Sequence, residues 1–267
     1  MPPEWLAPTS LDEALALRAE RGEEATVVAG GTFLAVLLNQ RLFQPISLLA
    51  LRGIPDIDRI SANGDLRLGA MVTHRAVERS PLVRERWPAL AQAFSLVASP
   101  RVRNQATVGG VLADADYASD PPAMLAALEA SVVARSVDGE REIQVEELIT
   151  GHYETSLEPH ELITEVRVPD RAQRAVYRKF RSRSHEDRPC VAVAAAICGD
   201  RLRVVVGAVA ERPQCFPGLC GGSASEIGER YAEAIDPLAD ARGSATYRKR
   251  VIAVEVRRAL EDLEWVP

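Results

Sequence analysis

Two glycine pairs, in Ala29-Gly30-Gly31-Thr32 and Ala106-Thr107-Val108-Gly109-Gly110, are the residues of this chain best suited to grip a charged ligand. Adjacent glycines let backbone N–H groups converge on one point without Cβ obstruction, which is how a protein holds a pyrophosphate. A lone Gly-Gly is usually just a turn. Two of them, with Ser119-Asp120-Pro121-Pro122 shortly after the second, say more. Asp120 can accept hydrogen bonds from a ribose or phosphate-side hydroxyl. It can also cap the helix that starts at the proline pair, and the two roles are compatible. No Gly-x-Gly-x-x-Gly follows a strand, so a Rossmann route to a dinucleotide is disfavoured.

Other chemistry finds little support. Cys190, Cys198, Cys215 and Cys220 form no Cys-x-x-Cys pair and no Cys/His cluster with zinc or iron–sulfur spacing. His74, His152, His160 and His185 are scattered, which suggests surface or cap roles rather than metal binding. There is no Gly-x-Ser-x-Gly elbow and no Cys/His nucleophile arrangement. The basic stretch Arg178 to Arg183, with Asp187 and Arg188 beyond it, is either a solvated strand edge or a positive wall for phosphate or a partner.

The elements that would position these residues follow from composition and periodicity. At 267 residues, 47% hydrophobic and 26% charged, the chain is long enough for two or three packed lobes. A formal charge of -6 argues against a nucleic-acid partner. No apolar run approaches the roughly 20 residues that span a bilayer. The first residues lack the pattern of a signal peptide, so a cytoplasmic location is expected. Ser10 opens a helix over the following apolar-periodic residues, and Ala25 to Ala29 forms a strand that runs into the first glycine pair and then a helix from Phe33. This makes residues 1–52 a small α/β lobe. Residues 53–170 read as α+β, with an Asn63-Gly64 hairpin, an irregular glycine-bearing stretch over 102–118 and a strand over 162–168. Residues 171–267 read as antiparallel strands over 176–180, 192–198 and 202–210, then helices over 225–233 and 246–263.

With these motifs in order, the sequence resembles the FAD-binding subunits of the molybdopterin dehydrogenases, the flavoprotein type found in xanthine dehydrogenase and carbon monoxide dehydrogenase. The resemblance rests on Ala29-Gly30-Gly31-Thr32, on Thr107-Val108-Gly109-Gly110, on Asp120, on Glu161 to Pro169, on Tyr177-x-Lys179 and on Arg242 to Lys249, and it covers nearly the whole chain. Two positions depart from the family pattern: Phe33 follows the first motif where a polar residue is common, and Val111 stands where an asparagine is usual.

The resemblance implies an α+β, PCMH-type FAD-binding fold of two α/β lobes plus a C-terminal lobe of three-stranded antiparallel sheet and helix bundle. It implies FAD as the cofactor of this chain, held by Val28, Ala29, Gly30, Gly31, Thr32, Phe33, Thr107, Val108, Gly109, Gly110, Val111, Asp120, Ile163 and Lys179, with Lys179 near the isoalloxazine. It further implies a large molybdopterin subunit and a small [2Fe–2S] subunit as partners, in a dimer of heterotrimers. Electrons would leave to NAD, a quinone or oxygen. A flavin-free docking subunit of the same kind of complex is the alternative.

Overall fold

The computed structural model describes residues 2–184 and 186–266, so His185 lies outside the described residues. Three larger sheets succeed one another along the described chain, with a two-stranded hairpin, Ile149–Gly151 and Glu154–Thr155, beside them. The first is parallel, with Glu4–Leu6, Ser47–Ala50 and Ala25–Val28 side by side in that spatial order. Its connection is the helix Leu11–Arg21, whose first turn is capped by the Ser10 hydroxyl and which buries Ala14 and Leu15 against the sheet. Ala25–Val28 is an edge strand, and it delivers the chain directly into the first glycine pair.

The second sheet has five antiparallel strands, with Leu162–Val168 at its centre between Asp65–Gly69 and Ser131–Ser136. Its core gathers Leu66, Leu68, Phe94, Met124, Val132 and Val166. The ladder shifts register between Ile163 and Glu165. Bulges of this kind re-aim side chains at sites.

The third sheet is an antiparallel meander of Ala172–Phe180, Val191–Cys198 and Arg201–Gly207, closed by the two-residue strand Gln214–Cys215. It therefore has four strands where three were expected. Val191–Cys198 is buried along its whole length. Ala192, Ala194 and Ala196 pack into the core of the second sheet, while Val191, Val193, Ala195 and Ile197 meet the helices Ala224–Ala234 and Ala245–Asp262. A strand covered on both faces reads as a continuous apolar run, which is how this one stands in the sequence. The helical part is a packed pair rather than a bundle. Its long helix buries Val251, Ile252, Val256, Ala259 and Leu260 and leaves Val254 exposed.

The stretch over 102–118 corrects the sequence expectation most. It is not irregular: helices occupy Pro100–Arg103 and Val108–Asp114, the second capped by the Thr107 hydroxyl. The glycines at 109 and 110 hid this helix, because two adjacent glycines depress local helix propensity that packing then overrides.

Candidate functional site

All three sheets contribute to one cavity of about 680 Å³, a size typical of cofactor sites, which run from roughly 300 to 1,000 Å³. Val28, Ala29, Gly30, Gly31, Thr32 and Phe33 line it from the first lobe, Thr107, Gly109, Gly110, Val111, Asp120 and Ile163 from the second, and Lys179 from the third. Val108 does not. Its side chain is fully buried in the core of the second sheet and its N–H bonds the Val72 carbonyl, so its assignment to the site is corrected.

The two glycine motifs do different work. A Cβ on Gly30 would stand 2.0 Å from the Gln105 carbonyl oxygen, so this glycine is what lets the first loop touch the backbone before the second motif. A Cβ on Gly109 would meet Ala70 at 2.7 Å, which ties the second motif to the end of Asp65–Gly69. The N–H groups of Gly109, Gly110 and Val111 are already engaged. That of Gly109 bonds the Ala70 carbonyl at 2.8 Å, that of Gly110 the Thr107 hydroxyl at 3.1 Å and that of Val111 the Thr107 carbonyl at 3.1 Å. The expectation that Gly109 and Gly110 aim donors at a pyrophosphate is therefore corrected; in this motif it is the Thr107 N–H that has no protein acceptor among the described residues, and Thr107 lines the cavity. Among the described residues, no protein acceptor takes the N–H of Gly30, Gly31, Thr32 or Phe33. Gly31 sits at φ +68, in the left-handed region where a glycine is unstrained.

Asp120 is not a helix cap: its backbone is helical and its side chain makes no capping bond. Its carboxylate instead accepts from the Tyr177 hydroxyl at 2.7 Å and from the Lys179 ammonium at 2.9 Å. Tyr177 and Lys179 reach it together because alternate residues of a strand share a face. On the other face Arg178 pairs with Glu255 and Asp262. The Lys179 and Asp120 side chains are only 1% and 4% exposed. Burial pushes the Asp120 carboxyl up and the Lys179 ammonium down from their ordinary values, and their mutual attraction opposes both shifts. Lys179 also donates to the Leu96 carbonyl at 2.8 Å, and Arg103 donates to the next two carbonyls, of Val97 and Ala98. These bonds hold Ala98 at φ 39, a strained conformation for alanine beside the cavity.

Several lining residues were missed by sequence reasoning. His74, read as a surface or cap residue, is buried. Its Nε2 lies 3.2 Å from the Thr107 carbonyl, and burial pushes the imidazole down to about 4, so it is neutral at physiological pH. Asp114 and Asp116 line the cavity at the end of Val108–Asp114, and Arg188 pairs with Asp116 at 2.6 Å. The Asp-x-Asp pair after the second glycine motif was visible in the sequence, whereas nothing marked Arg188 as its partner. Phe33 stacks on Tyr153 at 5.2 Å, which turns a departure from the family pattern into an apolar contact between loop and hairpin.

The chain's likenesses agree with this geometry. Residues 1–171 match the family described as FAD binding domain in molybdopterin dehydrogenase. The chain is 34% identical to subunit alpha of the 6-hydroxypseudooxynicotine dehydrogenase complex of Paenarthrobacter nicotinovorans, over 96% of its own length and 93% of that protein's. It is 32% identical to the carbon monoxide dehydrogenase medium chain of Hydrogenophaga pseudoflava, over 96% and 95%. Among solved structures, quinoline 2-oxidoreductase from Pseudomonas putida 86 superposes with a TM-score of 0.91 at 30% identity, covering 98% of this chain and 97% of that one. Carbon monoxide dehydrogenase from Hydrogenophaga pseudoflava superposes with a TM-score of 0.92 at the same identity and coverage. Among the described residues, no helix is long and apolar enough to cross a membrane.

Proposed function

The chain belongs to the family of FAD-binding domains in molybdopterin dehydrogenases, and from this premise we propose that it is the flavoprotein subunit of a molybdenum hydroxylase complex. In this reading it takes electrons from [2Fe–2S] clusters on a small partner chain, while a large partner carries the molybdopterin cofactor and oxidises the substrate. The electrons then leave to an external acceptor such as NAD, a quinone or oxygen. Relatives named as subunits or medium chains of dehydrogenases support the assembly.

The observation that carries the reading is the set of unclaimed N–H groups at Gly30, Gly31, Thr32 and Phe33 on the wall of a cofactor-sized cavity. They suit a pyrophosphate, while Met71, Val97, Leu162 and Ile163 offer apolar lining to a planar ring. When bound, FAD supplies two-electron redox chemistry through its isoalloxazine. The protein's part is to bind and orient. Gly30 brings the loops together, Thr107 fixes the second motif, and Lys179 has one N–H left beyond its two protein bonds. Ala70, Met71 and Ile163 help to keep water from the cavity.

The test is direct. The purified full-length chain should carry about one equivalent of FAD, with bands near roughly 370 and 450 nm. A colourless chain that takes up no added FAD would overturn the reading in favour of a flavin-free docking subunit.

Lys179 offers a finer test. In Lys179→Met the Asp120 carboxylate loses its buried counter-charge beside the cavity, so electron acceptance there becomes less favourable. The midpoint potential of the bound flavin should fall by tens of millivolts, at roughly 30 mV for each 1.4 kcal/mol lost in a two-electron couple. A redox titration that finds the potential unchanged removes Lys179 from the neighbourhood of the ring.

A further inference from the structure

Asp114 closes the helix Val108–Asp114 and lines the cavity. The following residue, Ala115, turns into the left-handed region at φ 46, leaving the helix end without a glycine cap. A carboxylate at a helix C-terminus faces the negative end of the macrodipole. Two residues on, Asp116 presents a second carboxylate, and its bonds are made elsewhere: Oδ1 accepts from the Ala118 N–H at 3.0 Å and Oδ2 pairs with Arg188 at 2.6 Å. Arg188 therefore neutralises Asp116. Among the described residues, no hydrogen bond or ion pair reaches the Asp114 carboxyl itself.

The surroundings compensate Asp114 only through Arg188, whose charge is already paired with Asp116. Glu186, on the segment that carries Arg188, lines the same cavity, and Tyr153 approaches from the hairpin Ile149–Gly151 and Glu154–Thr155. Neither is a cation. Elsewhere in the lining, Lys179 is committed to Asp120 and Glu161 to Arg141, and His74 is neutral. Burial first, and then the Asp116 carboxylate, push the Asp114 carboxyl up to about 7, with Arg188 opposing. An acid carboxyl has one O–H to donate, whereas an ionised one can only accept.

We propose that Asp114 is a cofactor-positioning residue that works in its acid form, donating its O–H to an electron-rich oxygen of the ligand in the cavity. The inference rests on the reading of that ligand as FAD, whose pyrophosphate and ring carbonyls supply such oxygens. Ionisation of Asp114 replaces this donor with a negative charge facing an anionic ligand. The chain should therefore bind FAD best when Asp114 is protonated and progressively less well as pH rises through its pKa.

The experiment measures the FAD dissociation constant of the full-length apo chain from about pH 6 to about pH 8.5, a range in which the phosphates of FAD do not titrate. The wild type should lose about tenfold in affinity across the range, with the loss beginning near neutrality. Asp114→Asn keeps an N–H donor and cannot ionise, so its affinity should be flat and close to the wild-type value at low pH. Melting of the apo chain supplies an independent readout. A carboxyl whose folded pKa lies above its unfolded value loses stability as pH rises from the unfolded value, about 4, to the folded one, so Asp114→Asn should raise the melting temperature most at about pH 8, less at about pH 5, and not at all below about pH 4. Equal slopes in wild type and Asp114→Asn, or a flat wild-type profile, overturn the proposal while leaving FAD binding intact. Failure of the wild type to bind FAD at any pH overturns both this inference and the functional reading beneath it.

Discussion

Replacing Asp120 by alanine is expected to remove about 3–5 kcal/mol from the stability of the cofactor-free chain, the usual cost of breaking a buried ion pair from one side. The substitution strands the Lys179 ammonium, whose side chain is 1% exposed, with the Leu96 carbonyl as its remaining acceptor. It also deprives the buried Tyr177 hydroxyl of its 2.7 Å partner. Urea denaturation of the apo chain measures the loss. A double variant, Asp120→Ala with Lys179→Met, should recover a large part of it, because the stranded charge is gone and only a cavity remains. A loss below about 1 kcal/mol in the single variant, of the size expected for a surface change, would mean that Asp120 contributes to the cofactor alone. The larger figure is expected because this triad joins the helix Pro121–Ala127 to the strand Ala172–Phe180.

The second large effect is expected at Gly30. Gly30→Ala places a Cβ 2.0 Å from the Gln105 oxygen and 2.7 Å from its carbonyl carbon, and both are backbone atoms that cannot swing aside. Loop and partner must separate, at a cost of about 1–3 kcal/mol by analogy with overpacked cores. The unclaimed N–H groups then leave the cavity wall. The folded variant should come off gel filtration without flavin. Gly31→Ala is the informative comparison. Its Cβ meets nothing closer than 3.8 Å, so only the strain of a left-handed alanine applies, roughly 1–2 kcal/mol, and flavin should weaken less. Stoichiometric FAD in Gly30→Ala would show that contact between the loops is dispensable for binding.

Much of the fold was legible before the structure, and the reasons differ by element. The helix after Ser10 and the strand Leu162–Val168 stood out because cap, period and apolar run agreed. The fully buried strand Val191–Cys198 was found as an apolar run, but its division between two cores could not be read from a pattern without alternation. The helix Val108–Asp114 was missed because its glycines serve close packing, Gly109 against Ala70 and Gly110 against the Thr107 hydroxyl, rather than flexibility. The cavity lining was legible where backbone chemistry selects residue type, as at Gly30, Gly31 and Asp120. It was illegible where ordinary residues arrive from far along the chain, as with His74 and Arg188. The roles of the N–H groups were the least readable of all, because whether a donor is free depends on carbonyls such as those of Ala70 and Val72, which any residue could supply.

The strand Val191–Cys198 has a consequence for how the molecule comes apart. Ala192, Ala194 and Ala196 complete one core and Val191, Val193, Ala195 and Ile197 complete another, so neither core survives alone when the strand leaves. A fragment ending near residue 171, the span matched by the family, would present to water the surface that Ala192, Ala194 and Ala196 cover, and would lack Tyr177 and Lys179 opposite Asp120. Such a fragment should be sticky and poorly soluble. The intact chain should lose its second and third sheets in a single cooperative melting event, with no stable half-folded species between.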